Sequence, residues 1–211
     1  MTKQGVASSM AYRAYIGIFA FLTLIVAVSC YSEESMFSMF KKVDVEVFPE
    51  VIGSLTHEGK PLAGIKLKRG YQYSGVMEEK EWDYTTTDAD GKFSFPEIIY
   101  STAHPNKPFA ETRVSQTIKV DENEESDIIE AAKDEYSEVI LWASISRGEK
   151  HISYLSERLA KLDCDLSNEA IRNEIIDEEF PSGVVRYKVF SICRWPVLDE
   201  LEVEKHKKYD K

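Results

Sequence analysis

Thr85-Thr86-Thr87-Asp88-Ala89-Asp90-Gly91-Lys92-Phe93-Ser94-Phe95 decides the fold class of this chain. The three threonines are β-branched and favour extended backbone. Asp88 to Gly91 form a turn, because Asp bonds backbone two residues on and Gly accepts positive φ. Beyond it, Phe93 and Phe95 alternate with Lys92 and Ser94, a period of two that sets both rings on one face. The stretch predicts a hairpin whose Phe face enters a β core.

The same period recurs on both sides. Val43, Val45 and Val47 alternate with Asp44 and Glu46, Val51 to Thr56 continues as β, and Ile65 and Leu67 alternate with Lys66 and Lys68. His57 to Pro61 is a turn, with Gly59 free to take positive φ and Pro61 unable to donate to a ladder. Further strands are predicted at Val114–Val120, Glu138–Ile145 and Val184–Ile192, with the acidic run Asp121–Asp127 as a solvated loop. Ser167–Phe180 predicts a helix, capped by Ser167 or Asn168, with Ile171, Ile175 and Ile176 as its apolar stripe. Closely spaced turns in the first half favour a mainly β, Greek-key β-sandwich with a small α+β C-terminal extension. The expected organisation is residues 1–29 as export signal or anchor, 30–42 as tether, 43–120 as sandwich and 121–211 as an extension packed on it.

Gly53-Ser54-Leu55, Gly59-Lys60-Pro61-Leu62-Ala63-Gly64 and Thr87-Asp88-Ala89-Asp90-Gly91-Lys92-Phe93-Ser94-Phe95 together resemble a carboxypeptidase regulatory-like domain. The resemblance covers residues 43–98 and implies an immunoglobulin-like, prealbumin-like sandwich. The mature chain also resembles an uncharacterised bacterial family that joins this domain to a C-terminal part. The matching features there are Leu141-Trp142, Leu162-Asp163-Cys164-Asp165-Leu166 and Ile192-Cys193-Arg194-Trp195. No activity follows from either likeness, since a fold hosts many functions.

The N-terminus reads as an address. Met1 to Arg13 holds only two charges, Lys3 and Arg13, and Tyr15 to Val28 is apolar, the order of a secretory signal. Ala27-Val28-Ser29-Cys30 resembles a lipobox, which implies a diacylated Cys30 in a bacterial lipoprotein. Two alternatives stay open: cleavage without acylation, leaving a soluble protein, or an uncleaved anchor, although the run is short of the roughly 20 residues that span a bilayer. The location expected is the cell envelope, membrane-anchored and facing the periplasm. There Cys164 and Cys193, 29 positions apart, are expected to pair as a disulfide, against the alternative of two buried thiols.

The whole chain of 211 residues has a net charge of −11 from 26 basic and 37 acidic groups. Losing Lys3 and Arg13 leaves 24 basic groups, a net of −13, which argues against nucleic acid or anionic lipid as a direct partner. Metals and cofactors are not expected, because no Cys-x-x-Cys or His-x-x-x-His spacing exists. From Thr86, the turn places Asp88, Asp90, Gly91 and Glu97 near a calcium-loop register, but Pro96 and strand flanks make a plain turn sufficient. His57, His104, His151 and His206 are scattered, without Glu three residues on, so no zinc peptidase site is carried over.

Tyr71, Tyr73, Trp82 and Tyr84, around the Gly75 loop with Glu78, Glu79 and Glu81, are the candidate binding surface. Strand core is the plainer account of the same aromatics. With no catalytic constellation, the expected role is a non-catalytic binding or accessory protein of the envelope, partnered by an envelope protein or a glycan. The alternative is a periplasmic immunity or inhibitor protein whose acidity suits a basic toxin.

Overall fold

A computed structural model describes residues 39–133, 138–148, 153–178 and 185–210. The chain divides into two compact units. In one, which joins the N-terminal residues through Lys41 to Asn106–Pro108, the Asn106 amide donates to the Lys41 carbonyl at 2.7 Å. The other holds every β-strand described below. The signal segment, Cys30 and most of the tether lie outside the described residues, as does His151. Among the described residues no helix is long and apolar enough to cross a membrane.

The strands are β1 (Val43–Phe48), β2 (Val51–His57), β3 (Lys60–Pro61), β4 (Lys66–Tyr73), β5 (Glu81–Thr86), β6 (Lys92–Phe95), β7 (Ile98–Thr102), β8 (Arg113–Val120), β9 (Ile140–Arg147), β10 (Leu162–Asp165), β11 (Ile171–Asp177) and β12 (Val185–Ser191). Among the described residues three α-helices accompany them: α1 (Asp127–Ala132), α2 (Ser153–Leu159) and α3 (Pro196–Tyr209). The architecture is a mainly β sandwich. One layer is a six-stranded antiparallel sheet in the order β11-β12-β9-β8-β4-β5. The other is built on β2, which pairs antiparallel with β6 and β3 and parallel with β10, next to the two-stranded sheet β1-β7.

Alternation makes the core. β8 buries Val114, Gln116, Ile118 and Val120 and turns the residues between them outward. Across the sandwich they meet Val47, Phe48, Val51, Leu55, Phe93 and Phe95 in one apolar cluster. The buried Gln116 amide reaches the other layer, donating to the Val47 carbonyl at 2.8 Å. The β2–β3 hairpin closes over Glu58 and Gly59, both at positive φ (50° and 73°), the hand of turn that suits strand twist.

Four expectations need correction. Thr85–Phe95 is not a hairpin: β5 pairs with β4 in one layer, and β6 pairs with β2 in the other. The turn between them is an arch that carries the chain across the sandwich. Its chemistry is as read, with Asp88 Oδ1 accepting the N–H groups of Asp90 at 2.9 Å and Lys92 at 2.8 Å. Gly91 sits at φ 72°, where a Cβ would lie 2.5 Å from the Leu55 carbonyl oxygen. Turn residues dictate that the chain reverses, not which strand it joins next.

Ser167–Phe180 is not helical. Ile171–Asp177 is β11, laddered along its length to β12, and β-branched isoleucines suit that surface as well as a helical stripe. Ser167 caps nothing; its N–H and hydroxyl both donate to Asp165 Oδ1. Nor is the acidic run all solvated, since Asp121 is buried, paired with Lys66 at 3.2 Å and accepting the Asn123 N–H. Finally, the sheet runs through the expected boundary at residue 120. β9, β11 and β12 extend the sheet of β4, β5 and β8, and β10 adds to β2, so the C-terminal part is woven into both layers.

Candidate functional site

The four aromatics singled out in the sequence divide between the two faces of the large sheet. β4 sends Tyr71 and Tyr73 inward, and both are buried. Tyr71 donates to Glu81 Oε2 at 3.1 Å while Tyr100 donates to Glu81 Oε1 at 2.7 Å, a polar seam along the sandwich edge. Burial first, then Glu81, push the Tyr71 hydroxyl up to about 12. Tyr73 meets the His104 ring edge-on at 5.5 Å. These two tyrosines are core, and that part of the expected surface is corrected.

Trp82 and Tyr84 point outward from β5, 37% and 53% exposed. Trp82 stands opposite Gly70 in the β4–β5 ladder and lies over it, so that a Cβ on Gly70 would sit 2.5 Å from the indole. A strand glycine covered by a cross-strand aromatic keeps its place in the sheet. Around the ring stand three ammonium groups: Lys68 at 4.7 Å from the centroid, Lys80 at 5.3 Å and Lys119 at 5.5 Å. Lys66 lies 4.5 Å from the Tyr84 centroid. Cations at this range are drawn to the face of an aromatic ring.

Three of the four lysines are already paired: Lys66 with Asp121, Lys68 with Glu122 and Lys119 with Glu138. Lys80 donates to the Thr117 hydroxyl at 3.3 Å and, among the described residues, has no carboxylate at ion-pair distance. Burial, then the Lys119 ammonium, hold Lys80 below the ordinary lysine range, with Glu138 acting the other way. Four lysine ammonium groups thus gather around the exposed aromatics of β5 on a strongly acidic chain, three of them matched by carboxylates. The Gly75 loop beside it is fixed by the Ser74 N–H to Arg113 carbonyl bond at 2.9 Å and leaves Glu78 and Glu79 exposed.

The signal for the lysines was in the sequence. Lys66 and Lys68 alternate with Leu67, and Lys119 lies between Ile118 and Val120, so all three had to face away from the core. That they converge on Trp82 depends on strand order, which period-two patterning does not give.

The Cys164–Cys193 disulfide is present, its cysteines fully buried, and ties β10 in one layer to the residues just after β12 in the other. His104 and His206 each hold a ring nitrogen against a backbone carbonyl, of Glu111 at 2.8 Å and Glu174 at 2.9 Å. Among the described residues no three His, Cys, Asp or Glu side chains converge as metal ligands. A cleft of about 560 Å³ opens beside Phe190, with Ile140, Leu166 and Ile192 among its walls.

Among known families, one model matches residues 51–169, described as a domain of unknown function (DUF6795). No curated protein matches the chain.

Proposed function

The chain belongs to this DUF6795 family, and from that premise we propose a membrane-anchored, non-catalytic binding protein of the bacterial cell envelope that holds its partner on the outer face of the large sheet. The supporting observation is Trp82: an accessible indole seated on Gly70 and ringed by three lysine ammonium groups. Exposed tryptophan beside cations is a frequent anchor of binding surfaces. The sandwich layers and the Glu58-Gly59 hairpin support a carboxypeptidase regulatory-like domain over residues 43–98, and the buried disulfide suits an oxidising compartment. Attachment through Cys30, by acylation or by an uncleaved anchor, belongs to the same proposal.

The test uses the built-in fluorophores. Trp142 and Trp195 are buried, so acrylamide quenching of the full chain in detergent reports chiefly on Trp82. Isolated envelope material should deplete the protein from solution and shield Trp82, and Trp82→Ala should weaken that retention about tenfold, the scale of an interface anchor. Equal retention of wild type and variant would remove this face as the binding surface.

A further inference from the structure

The ladders of the large sheet place one line of residues across it. Trp82 is opposite Gly70, Gly70 opposite Thr117, Thr117 opposite Ala143, and Ala143 opposite Phe190. Directly opposed residues share a face, so all five point outward with Trp82. The middle three have small side chains, while Phe190 at the far end is 49% exposed. The result is a shallow trough with an aromatic ring at each end. Four interstrand steps separate the rings by roughly 19 Å. On one side the next row is Tyr84, Lys68 and Lys119; on the other it is Gln72, Ser115 and Ile145. Arg172 follows Phe190 in the same line.

Building on the proposed binding role of Trp82, we infer that this trough binds an acidic polysaccharide, one whose pyranose rings stack on Trp82 and Phe190 and whose carboxylates meet Lys80 and Arg172. The backbone along the floor of the trough, on β4, β8 and β9, is consumed in ladders on both sides, so the floor offers no free edge to which a peptide strand could add, and only the outer side of β5 is an edge. A chain of flat rings needs no such edge; it needs aromatic faces, a floor of small residues and spaced cations. Lys80 supplies the charge complementarity, a half-buried ammonium over Thr117 without a carboxylate partner among the described residues. A carboxylate arriving there gains a partner already stripped of much of its water.

Binding is measured by affinity electrophoresis of the full chain in non-ionic detergent, with far-UV circular dichroism confirming that each variant folds. The probes are polygalacturonate, neutral dextran of matched length and polyglutamate. Polygalacturonate should retard the protein and shield Trp82 from acrylamide, and dextran and polyglutamate should not. Lys80→Ala should weaken retardation about tenfold, the scale of one desolvated charge pair. Ala143→Trp, which fills the floor beside Phe190, should abolish it. Phe190→Ala should weaken binding of the polymer but not of digalacturonate, which is too short to reach both rings.

Equal binding of dextran, equal binding of polyglutamate, or full retention by Ala143→Trp would each overturn the inference. If polygalacturonate fails while envelope material still needs Trp82, the ligand class is wrong and the binding role stands. If envelope material binds Trp82→Ala as it binds wild type, both fall.

Discussion

Arg69 is the most consequential single residue of the core. Its side chain has no accessible surface and lies between the Phe48 and Phe95 rings, 5.0 and 4.8 Å from their centroids. Nε donates to Asp83 Oδ1 at 3.0 Å, Nη2 pairs with Asp83 Oδ2, and Nη1 donates to the Pro96 carbonyl at 2.6 Å. Removing Asp83 strands a fully buried guanidinium, whereas removing Arg69 leaves a carboxylate that is 35% exposed and can be solvated. Asp83→Ala should therefore lower unfolding stability by about 3 kcal/mol in urea titration, and Arg69→Met by much less. Equal losses would contradict that account. Arg69 was illegible in the sequence because it reads as one more polar residue after Lys66 and Lys68, yet it shares the inward face of Leu67. Only the register that sets Asp83 opposite makes it a core residue. Asp165 was equally hidden. Its oxygens accept from Thr56 Oγ1, from the N–H groups of Glu58, Gly59 and Ser167, and from the Ser167 hydroxyl, binding β10 to the β2–β3 turn. Burial alone would raise this carboxyl, but the Ser167 hydroxyl and then the Gly59 N–H outweigh it and hold it well below the usual range. A group depressed on folding stabilises above its unfolded value of about 3.9 and loses that contribution as pH falls through its folded value. Asp165→Ala should cost about 2 kcal/mol at neutral pH, the scale of hydrogen bonds to a charge. The gap from wild type should narrow below about pH 4; a gap constant from pH 7 to pH 2 would show the charge to be irrelevant.

At the level of elements, strand existence was legible wherever one face alone is buried. β1, β2, β4 and β8 follow from Val43–Val47, Val51–Thr56, Leu67 and Val114–Val120, because period-two alternation states both the strand and its inward face. β11 was misread because Ile171 and Ile175, four apart, satisfy helix and strand spacing alike, and tertiary pairing with β12 decides. α3 escaped notice because its residues are largely charged and its work is done by polar side chains on a strand edge. Glu202 accepts the Ile176 N–H at 2.6 Å, Lys205 donates to the Ile176 carbonyl at 3.2 Å, and His206 meets the Glu174 carbonyl. A helix that occupies edge groups in this way keeps another strand from pairing there. The disulfide acts at the same scale, since it links β10 to the segment between β12 and α3 across the layers. The paired variant Cys164→Ala with Cys193→Ala should be about 3 kcal/mol less stable, the chain-entropy value for a loop of this order. An unchanged urea midpoint would mean that packing alone holds the layers. With both cysteines buried, a reductant reaches the bond only when the structure around it opens.

For the molecule as a whole, composition predicted an acidic surface, and it said nothing about the local cluster of lysines at Trp82. The outer face became legible as a trough only when the strand order was known, because Trp82, Gly70, Thr117, Ala143 and Phe190 come from five strands spread along the chain. The division at residue 120 failed for the same reason: a sheet joins strands by hydrogen bonds that no local stretch announces. The parallel pairing of β2 with β10 carries this furthest. Gly53 lies beside Leu162 and Leu55 beside Cys164, and the Ser54 hydroxyl bonds Asp163 across 109 positions of sequence. One edge of the strand that organises the second layer therefore stays open until the chain has closed a loop of that length. Contacts so distant in sequence form slowly, because loop entropy is spent before any bond repays it. A chain cut short before Leu162 would leave that edge bare, a template for its neighbours. Quality control of this protein is thus a question of time: its late residues are the ones that make its early strand safe.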